Sequence, residues 1–244
     1  GPATSEFVQT NPIGLALLKD NHNNNVGMRA NTYAEISFTK DLKFKTQYSL
    51  DYNFHSDYKF DPSYTFGAIV NEVRTGQRSK SDSKYWNWNN LLTYNKKFGV
   101  HNINAMLGQE MQESHWENLY GSRTGYLTNG ATDLNAGDAT RAKNSNSSGT
   151  SALSSYFGRV FYSFDDRYLL TGTIRRDGSS KFYKDNQWGW FPSAAFAWKI
   201  SNESFLKDSK TVNNLKLRLG WGMVGNQNVP NNAYTSVYNA SATN

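Results

Sequence analysis

Gly220-Trp221-Gly222-Met223-Val224-Gly225 spells G-x-G-x-x-G, the spacing that lets a backbone cradle a pyrophosphate. That chemistry needs the glycines after a strand and at the opening of a helix, inside a βαβ unit. Here Asn226-Gln227-Asn228 and Pro230 follow instead, so the glycines read as close packing or bending of a sheet. Asp133-Leu134-Asn135-Ala136-Gly137-Asp138 begins like a calcium loop, but its glycine comes one place early. Asn144 also stands where the bidentate Glu belongs, which favours an Asx-rich turn. His22, His55, His101 and His115 share no i,i+2 or i,i+4 spacing, which argues against a metal cluster. No G-x-S-x-G nucleophile elbow occurs, and an enzyme is the least supported class. The densest polar cluster is Arg175-Arg176-Asp177-Gly178-Ser179-Ser180. An Arg–Asp pair leading into a glycine turn needs no ligand, and that structural reading is preferred to solute contact.

The elements that carry these residues are strands. Leu42, Phe44, Thr46, Tyr48, Leu50, Tyr52 and Phe54 fall on one face, while Lys43, Lys45, Gln47, Ser49, Asp51, Asn53 and His55 fall on the other. Period-two alternation of this length predicts a strand with one apolar and one wet side. It exceeds the roughly 9–11 residues that cross a bilayer as a strand. Seven more strands are predicted, at about 26–38, 84–94, 100–116, 154–164, 168–176, 188–200 and 215–224. In the last, Leu217 falls on the apolar face and Lys216 on the polar one. Tight turns are expected at 39–41, 95–99 and 165–167, and long loops at Ser56–Ser83 and Glu117–Leu153. Short turns at one end and long loops at the other are the layout of an outer-membrane barrel. The link 201–214 breaks that rhythm, with a helical turn expected at 203–207.

Composition narrows the class without deciding it. The 244 residues hold no cysteine, so neither a disulfide framework nor a thiolate metal site exists. No apolar run approaches the roughly 20 residues of a membrane helix, a test that leaves a β-barrel open. Aromatic residues make up 15% of the chain and cluster near strand ends, as interfacial girdles do. A soluble carbohydrate-binding β-sandwich, with Trp86, Trp88, Trp188 and Trp190 as stacking platforms, fits the composition equally well. The net charge of +6 is dispersed, which speaks against a nucleic-acid partner. No secretion signal is legible in Gly1–Thr10, which is neutral because an exported chain has lost its own.

Asp166-Arg167-Tyr168-Leu169-Leu170-Thr171, Arg175 to Phe182, and Trp188-Gly189-Trp190-Phe191-Pro192-Ser193 follow one another along the later strands. These strings resemble the SusC/RagA family of TonB-dependent outer-membrane transporters of Bacteroidetes. Asn214 to Arg218 and Gly225-Asn226-Gln227 continue in the expected order. Asn11-Pro12, Asn31-Thr32-Tyr33 and Asp41 to Thr46 resemble the family's mid-barrel. Ala194-Ala195 and Gly220 depart from it slightly, in places where the family often has Ser. The resemblance implies an all-β fold: about eight antiparallel strands from a transmembrane barrel of the 22-stranded class. Residues 1–244 would all belong to that barrel, without the plug domain or TonB box of the whole protein.

It also implies import of oligosaccharides or peptides across the outer membrane of a Gram-negative bacterium. The expected partners are a SusD-like surface lipoprotein as lid, the TonB–ExbB–ExbD complex acting through the plug, and membrane lipid with lipopolysaccharide. No cofactor is expected. The polar strand faces would line the lumen, making Lys43, Lys45, Gln47, Asp51, Arg175, Asp177, Lys216 and Arg218 candidate lumen-facing residues. The two long loops become candidates for contact with solute or lipoprotein. A barrel wall serving a non-transporting complex is a further alternative.

Overall fold

The computed structural model describes residues 14, 17–66, 69–207, 209 and 211–231. Gly1–Thr10 and Asn11-Pro12 lie outside the described residues. Ten strands follow in chain order: β1 (Asp20–Ser37), β2 (Leu42–Asp61), β3 (Tyr64–Phe66), β4 (Ile69–Asn71) and β5 (Thr75–Phe98). Then come β6 (His101–Thr124), β7 (Lys143–Phe164), β8 (Tyr168–Ser179), β9 (Trp188–Lys199) and β10 (Lys216–Gly222). Eight of them form one sheet in the order β1-β2-β5-β6-β7-β8-β9-β10, and β3 pairs with β4 as a separate hairpin. The eight expected wall strands are therefore present, in sequential order. They do not pack as two facing sheets, which a sandwich requires.

The expected long loops are mostly strand. Ser56–Ser83 contains the end of β2, the β3–β4 hairpin and the start of β5. Glu117–Leu153 contains the end of β6, two short 3-10 turns and the start of β7. Segments such as Arg78–Ser83 and Ser145–Thr150 are polar on both faces, so they carry no apolar alternation. Backbone pairing with neighbouring strands makes them β, a tertiary effect that propensity does not encode.

Two compact units are cut across these strands. One comprises Gly1–Met28, Asp51–Lys84 and His115–Gly149. Its small core is Phe60 and Tyr126, 1% and 3% exposed, meeting edge to face at 5.2 Å between centroids. Arg74 ties the surrounding chain together, donating from Nε to Asn129 Oδ1 at 2.7 Å and from Nη1 to the Tyr126 carbonyl at 3.0 Å. Gly76 lies under Tyr126, where any Cβ would come within 2.1 Å of the phenol oxygen.

The other unit comprises Arg29–Leu50, Tyr85–Ser114 and Thr150–Asn244. Its register sets the faces. Val160 stands opposite Gly172, which stands opposite Ala194, which stands opposite Trp221. The same face carries Tyr156, Gly158, Leu170, Ile174, Pro192, Phe196, Leu217 and Leu219. The reverse face carries Ser155, Arg159, Thr171, Thr173, Arg175, Asp177, Ser193 and Arg218. The apolar face is the exposed one: Val160 and Ile174 are each 50% exposed, Leu170 52% and Trp221 64%.

The tight turns lie at one end of this sheet. Asp165 and Asp166 take φ of 51° and 50°, and the Arg167 amide closes the turn on the Phe164 carbonyl at 3.0 Å. Both central residues are left-handed, the type I′ geometry whose twist matches a hairpin. Gly99, at φ 56°, opens the β5–β6 turn. Thr39 Oγ1 accepts from the Asp41 and Leu42 amides in the β1–β2 turn. Each later turn or strand end donates an amide to an earlier one. Asn95 N–H reaches the Asp41 carbonyl, Asp165 N–H the Val100 carbonyl, and Lys199 N–H the Arg167 carbonyl, each at 2.8 Å.

Candidate functional site

Of the eight polar candidates, four share one sheet face by register: Arg175, Asp177, Lys216 and Arg218. They do not converge. Arg175 lies opposite Phe191 and Arg218 opposite Ala197, six residues apart on β9, or about 20 Å along the strand. Lys216 lies opposite Lys199 near the tight turns. On β2, Lys43 Nζ donates to Glu35 Oε1 at 3.3 Å, and Lys45 lies 4.8 Å from the Tyr33 ring centroid. Gln47 follows them on the same strand, and Asp51 accepts from Asn53 Nδ2 at 2.8 Å.

Arg175 organises the densest cluster. Its Nε donates to Asp177 Oδ1 at 2.7 Å; its Nη2 donates to Ser155 Oγ at 2.9 Å and to Glu110 Oε2 at 3.2 Å. Asn87 donates to the other Glu110 oxygen at 3.1 Å. Ser155 is fully buried, and the guanidinium also faces the Phe157 ring at 5.4 Å. Residues of β5, β6, β7 and β8 are thus joined on one face. Arg175 commits its Nε and Nη2 donors to these partners, which favours the structural role expected of it.

Two open recesses flank this cluster. One, of about 400 Å³, is lined by Arg175, Asp177, Gln187, Phe191, Asn226 and Gln227 among others. The second, of about 440 Å³, is lined by Gln112, Ser114, Ser151 and Lys181, with Asn226 and Gln227 shared. The segment after β10 folds back to form both, held by the Met223 amide on the Pro192 carbonyl at 2.9 Å. A Cβ on Gly225 would fall within 2.3 Å of the Phe191 ring, and one on Gly222 within 2.9 Å of Ser193 Cβ. The glycine motif therefore serves close approach, as its context indicated, and among the described residues no helix follows β10. Glu110, Gln187, Asn226 and Gln227 were not singled out as site residues. Only the Gly225-Asn226-Gln227 string gave a signal for two of them.

At the tight-turn end, Glu203 is 7% exposed and accepts from three groups. They are Tyr168 Oη at 2.7 Å, Trp198 Nε1 at 2.9 Å and Arg167 Nη1 at 2.7 Å. The Tyr168 and Trp198 bonds, then the Arg167 bond and charge, hold its carboxyl below the ordinary range. The expected helical turn is present here, with the Leu206 and Lys207 amides on the Glu203 carbonyl. In the 133–138 loop, Asp138 caps a 3-10 turn by accepting from the Thr140 amide and hydroxyl at 2.8 and 2.7 Å. Those bonds lower its carboxyl as well. His55 Nε2 and Ser79 Oγ both meet Asp57 Oδ2, at 2.8 and 3.3 Å. In that order, His55 is bonded to Asp57 rather than to the Ser79 hydroxyl that a nucleophilic triad would activate.

The family model described as TonB dependent receptor-like, beta-barrel matches residues 4–244. The chain is 35% identical over 234 residues to the TonB-dependent receptor SusC of Bacteroides thetaiotaomicron, covering 93% of this chain and 22% of that one. It is 34% identical over 226 residues to the TonB-dependent receptor P3 of Formosa agariphila, covering 90% and 22%. The chain thus spans about a fifth of the length of these relatives. The solved RagAB peptide transporter aligns with a TM-score of 0.82 at 21% identity, over 88% of this chain and 24% of that one. The open-open state of the RagAB peptide importer gives 0.83 at 21% identity, over 93% and 26%. At that identity the likeness is one of fold.

Proposed function

The chain belongs to the TonB-dependent receptor-like β-barrel family, and from that premise we propose that it is a length of barrel wall in an outer-membrane nutrient importer. The carrying observation is the exposed apolar face. Tyr168 and Trp198 mark one end of it, and Trp188 and Trp190 the other. Trp188 and Trp198 are ten residue steps apart on β9, about 34 Å along the strand. At a tilt of about 40° that rises about 26 Å, close to the apolar band of about 25 Å on outer-membrane barrels. Lipid is then the medium that covers this face. The polar face, with Lys43, Lys45, Gln47, Asp51, Arg175, Asp177, Lys216 and Arg218, lines the lumen.

The tight turns face the periplasm and the longer connections the outside. Strands β2, β5, β6 and β7 have 20, 24, 24 and 22 residues, far more than a crossing needs. That surplus length supplies a surface for a SusD-like lipoprotein and for an oligosaccharide or peptide solute. Energy comes from TonB–ExbB–ExbD through a plug elsewhere in the full-length protein. Support for this comes from two names: SusC is a receptor, and RagAB is a peptide transporter.

The test is made in the native organism. The full-length protein should fractionate with the outer membrane and co-purify a SusD-like lipoprotein. Deleting its gene, or TonB, should abolish growth on the imported glycan or peptide. Recovery of the protein in the soluble fraction would sink the proposal, as would growth indifferent to TonB.

A further inference from the structure

Arg176 differs from its neighbour Arg175 in every respect that matters for binding. It points to the apolar face, in line with Ile174 and opposite Trp190. Its guanidinium lies 4.6 Å from the Trp188 ring and 5.3 Å from the Trp190 ring. Tyr156 stacks on Trp188 at 6.2 Å and stands opposite Arg176 across β7. Trp188 itself lies flat over Gly178, where a Cβ would come within 2.7 Å of the indole. Among the described residues no carboxylate pairs with Arg176, and its Nε is a buried donor without an acceptor. A cation is thus held in an aromatic box, on an otherwise apolar face, at the level where strands leave the band.

Directly beside it the band is hollowed. A depression of about 640 Å³ runs past Ile174, Gly172, Gly158, Val160, Leu107 and Leu92, and its lining is almost wholly apolar. Its floor is low because two glycines stand where the alternation calls for apolar side chains. Gly158 faces Ile174 and Gly172 faces Val160 across the β7–β8 pair. A Cβ on Gly172 would meet nothing within 4 Å.

We propose that this is a specific site for a phosphate-bearing lipid of the outer leaflet, with phosphate on Arg176 and one acyl chain in the Gly158–Gly172 depression. The guanidinium fork matches phosphate geometry. The two tryptophans hold it at interfacial height and fix its plane, so little ordering remains when the headgroup arrives. The exposed apolar depression begins two residues below the cation, which a headgroup with an attached chain satisfies and a free phosphate does not. The proposal rests on the membrane-wall reading above.

The experiment uses the full-length receptor in maltoside micelles, with native mass spectrometry of added monophosphoryl lipid A and of the same lipid dephosphorylated. Wild type should prefer the phosphorylated form by about tenfold, the scale of one charged hydrogen bond. Arg176→Gln should abolish that preference and Arg176→Lys should restore part of it. Gly172→Leu, which fills the depression, should weaken both forms while keeping the preference. Equal binding of both lipids to wild type and Arg176→Gln would overturn the site. So would displacement by millimolar inorganic phosphate, which would make it a free-anion site, or indifference to Gly172→Leu. A wild-type protein that never reaches the outer membrane sinks wall and site together. A membrane-resident wild type with binding indifferent to Arg176 sinks the site alone.

Discussion

Adjacent residues show how sharply the two faces differ. Val160 lies at mid-height of the apolar band, and Arg159 is exposed on the reverse face. Val160→Arg should destabilise the full-length barrel by about 2–4 kcal/mol, whereas Arg159→Ala should stay within about 0.5 kcal/mol. Urea unfolding from micelles checks both, and equal tolerance would count against a lipid-facing wall. Leu217, although apolar, stands opposite Trp198 at the aromatic level and is a poorer probe of the middle. Alternation made these faces legible in the sequence. It could not separate Arg175 from Arg176 by partner, because Glu110 and Ser155 lie 65 and 20 residues away in the chain. A second residue-level test concerns close packing. Gly76→Ala must displace the buried Tyr126 ring and should cost about 1–3 kcal/mol, read as faster protease nicking around Tyr126. Gly172→Ala, with open space above it, is the neutral control.

Among the elements, the link from β9 to β10 was the anomaly in the sequence, too long for a turn at that end. The structure explains its length. It brings Glu203 back beneath Tyr168 and Trp198, so the first residues of the link pin the aromatic level. The Glu203 carboxyl is depressed relative to its ordinary 4.5, so its stabilisation is complete above that value. It is lost as pH falls through the lower, folded value. Amide exchange over 199–207, and Trp198 fluorescence, should therefore change below about pH 4.5 in the wild type. Glu203→Gln should remove that pH dependence; an unchanged acid profile would contradict the clamp. The wall strands were legible because each has one apolar face. The outer lengths of β5 and β7 were not, since nothing in Arg78–Ser83 or Ser145–Thr150 distinguishes a paired strand from a polar loop.

For the whole molecule, the sheet order begins at β1 and ends at β10, and among the described residues each has a neighbour on one side only. Open edges in lipid leave backbone groups unsatisfied. Residues 1–244 expressed alone should consequently elute from detergent gel filtration as heterogeneous oligomers, while the full-length receptor elutes as one species. A homogeneous monomer of the fragment would show that these edges are covered. The row of tight turns carries a different kind of consequence. The last residues of β5 donate to the β1–β2 turn, the β7–β8 turn to the β5–β6 turn, and the end of β9 to the β7–β8 turn. Every acceptor in that relay is synthesised before its donor. Each hairpin end is thus tied to the one before it by a main-chain bond outside its own ladder, so a register slip in one hairpin would break a bond to its neighbour as well as those within the pair.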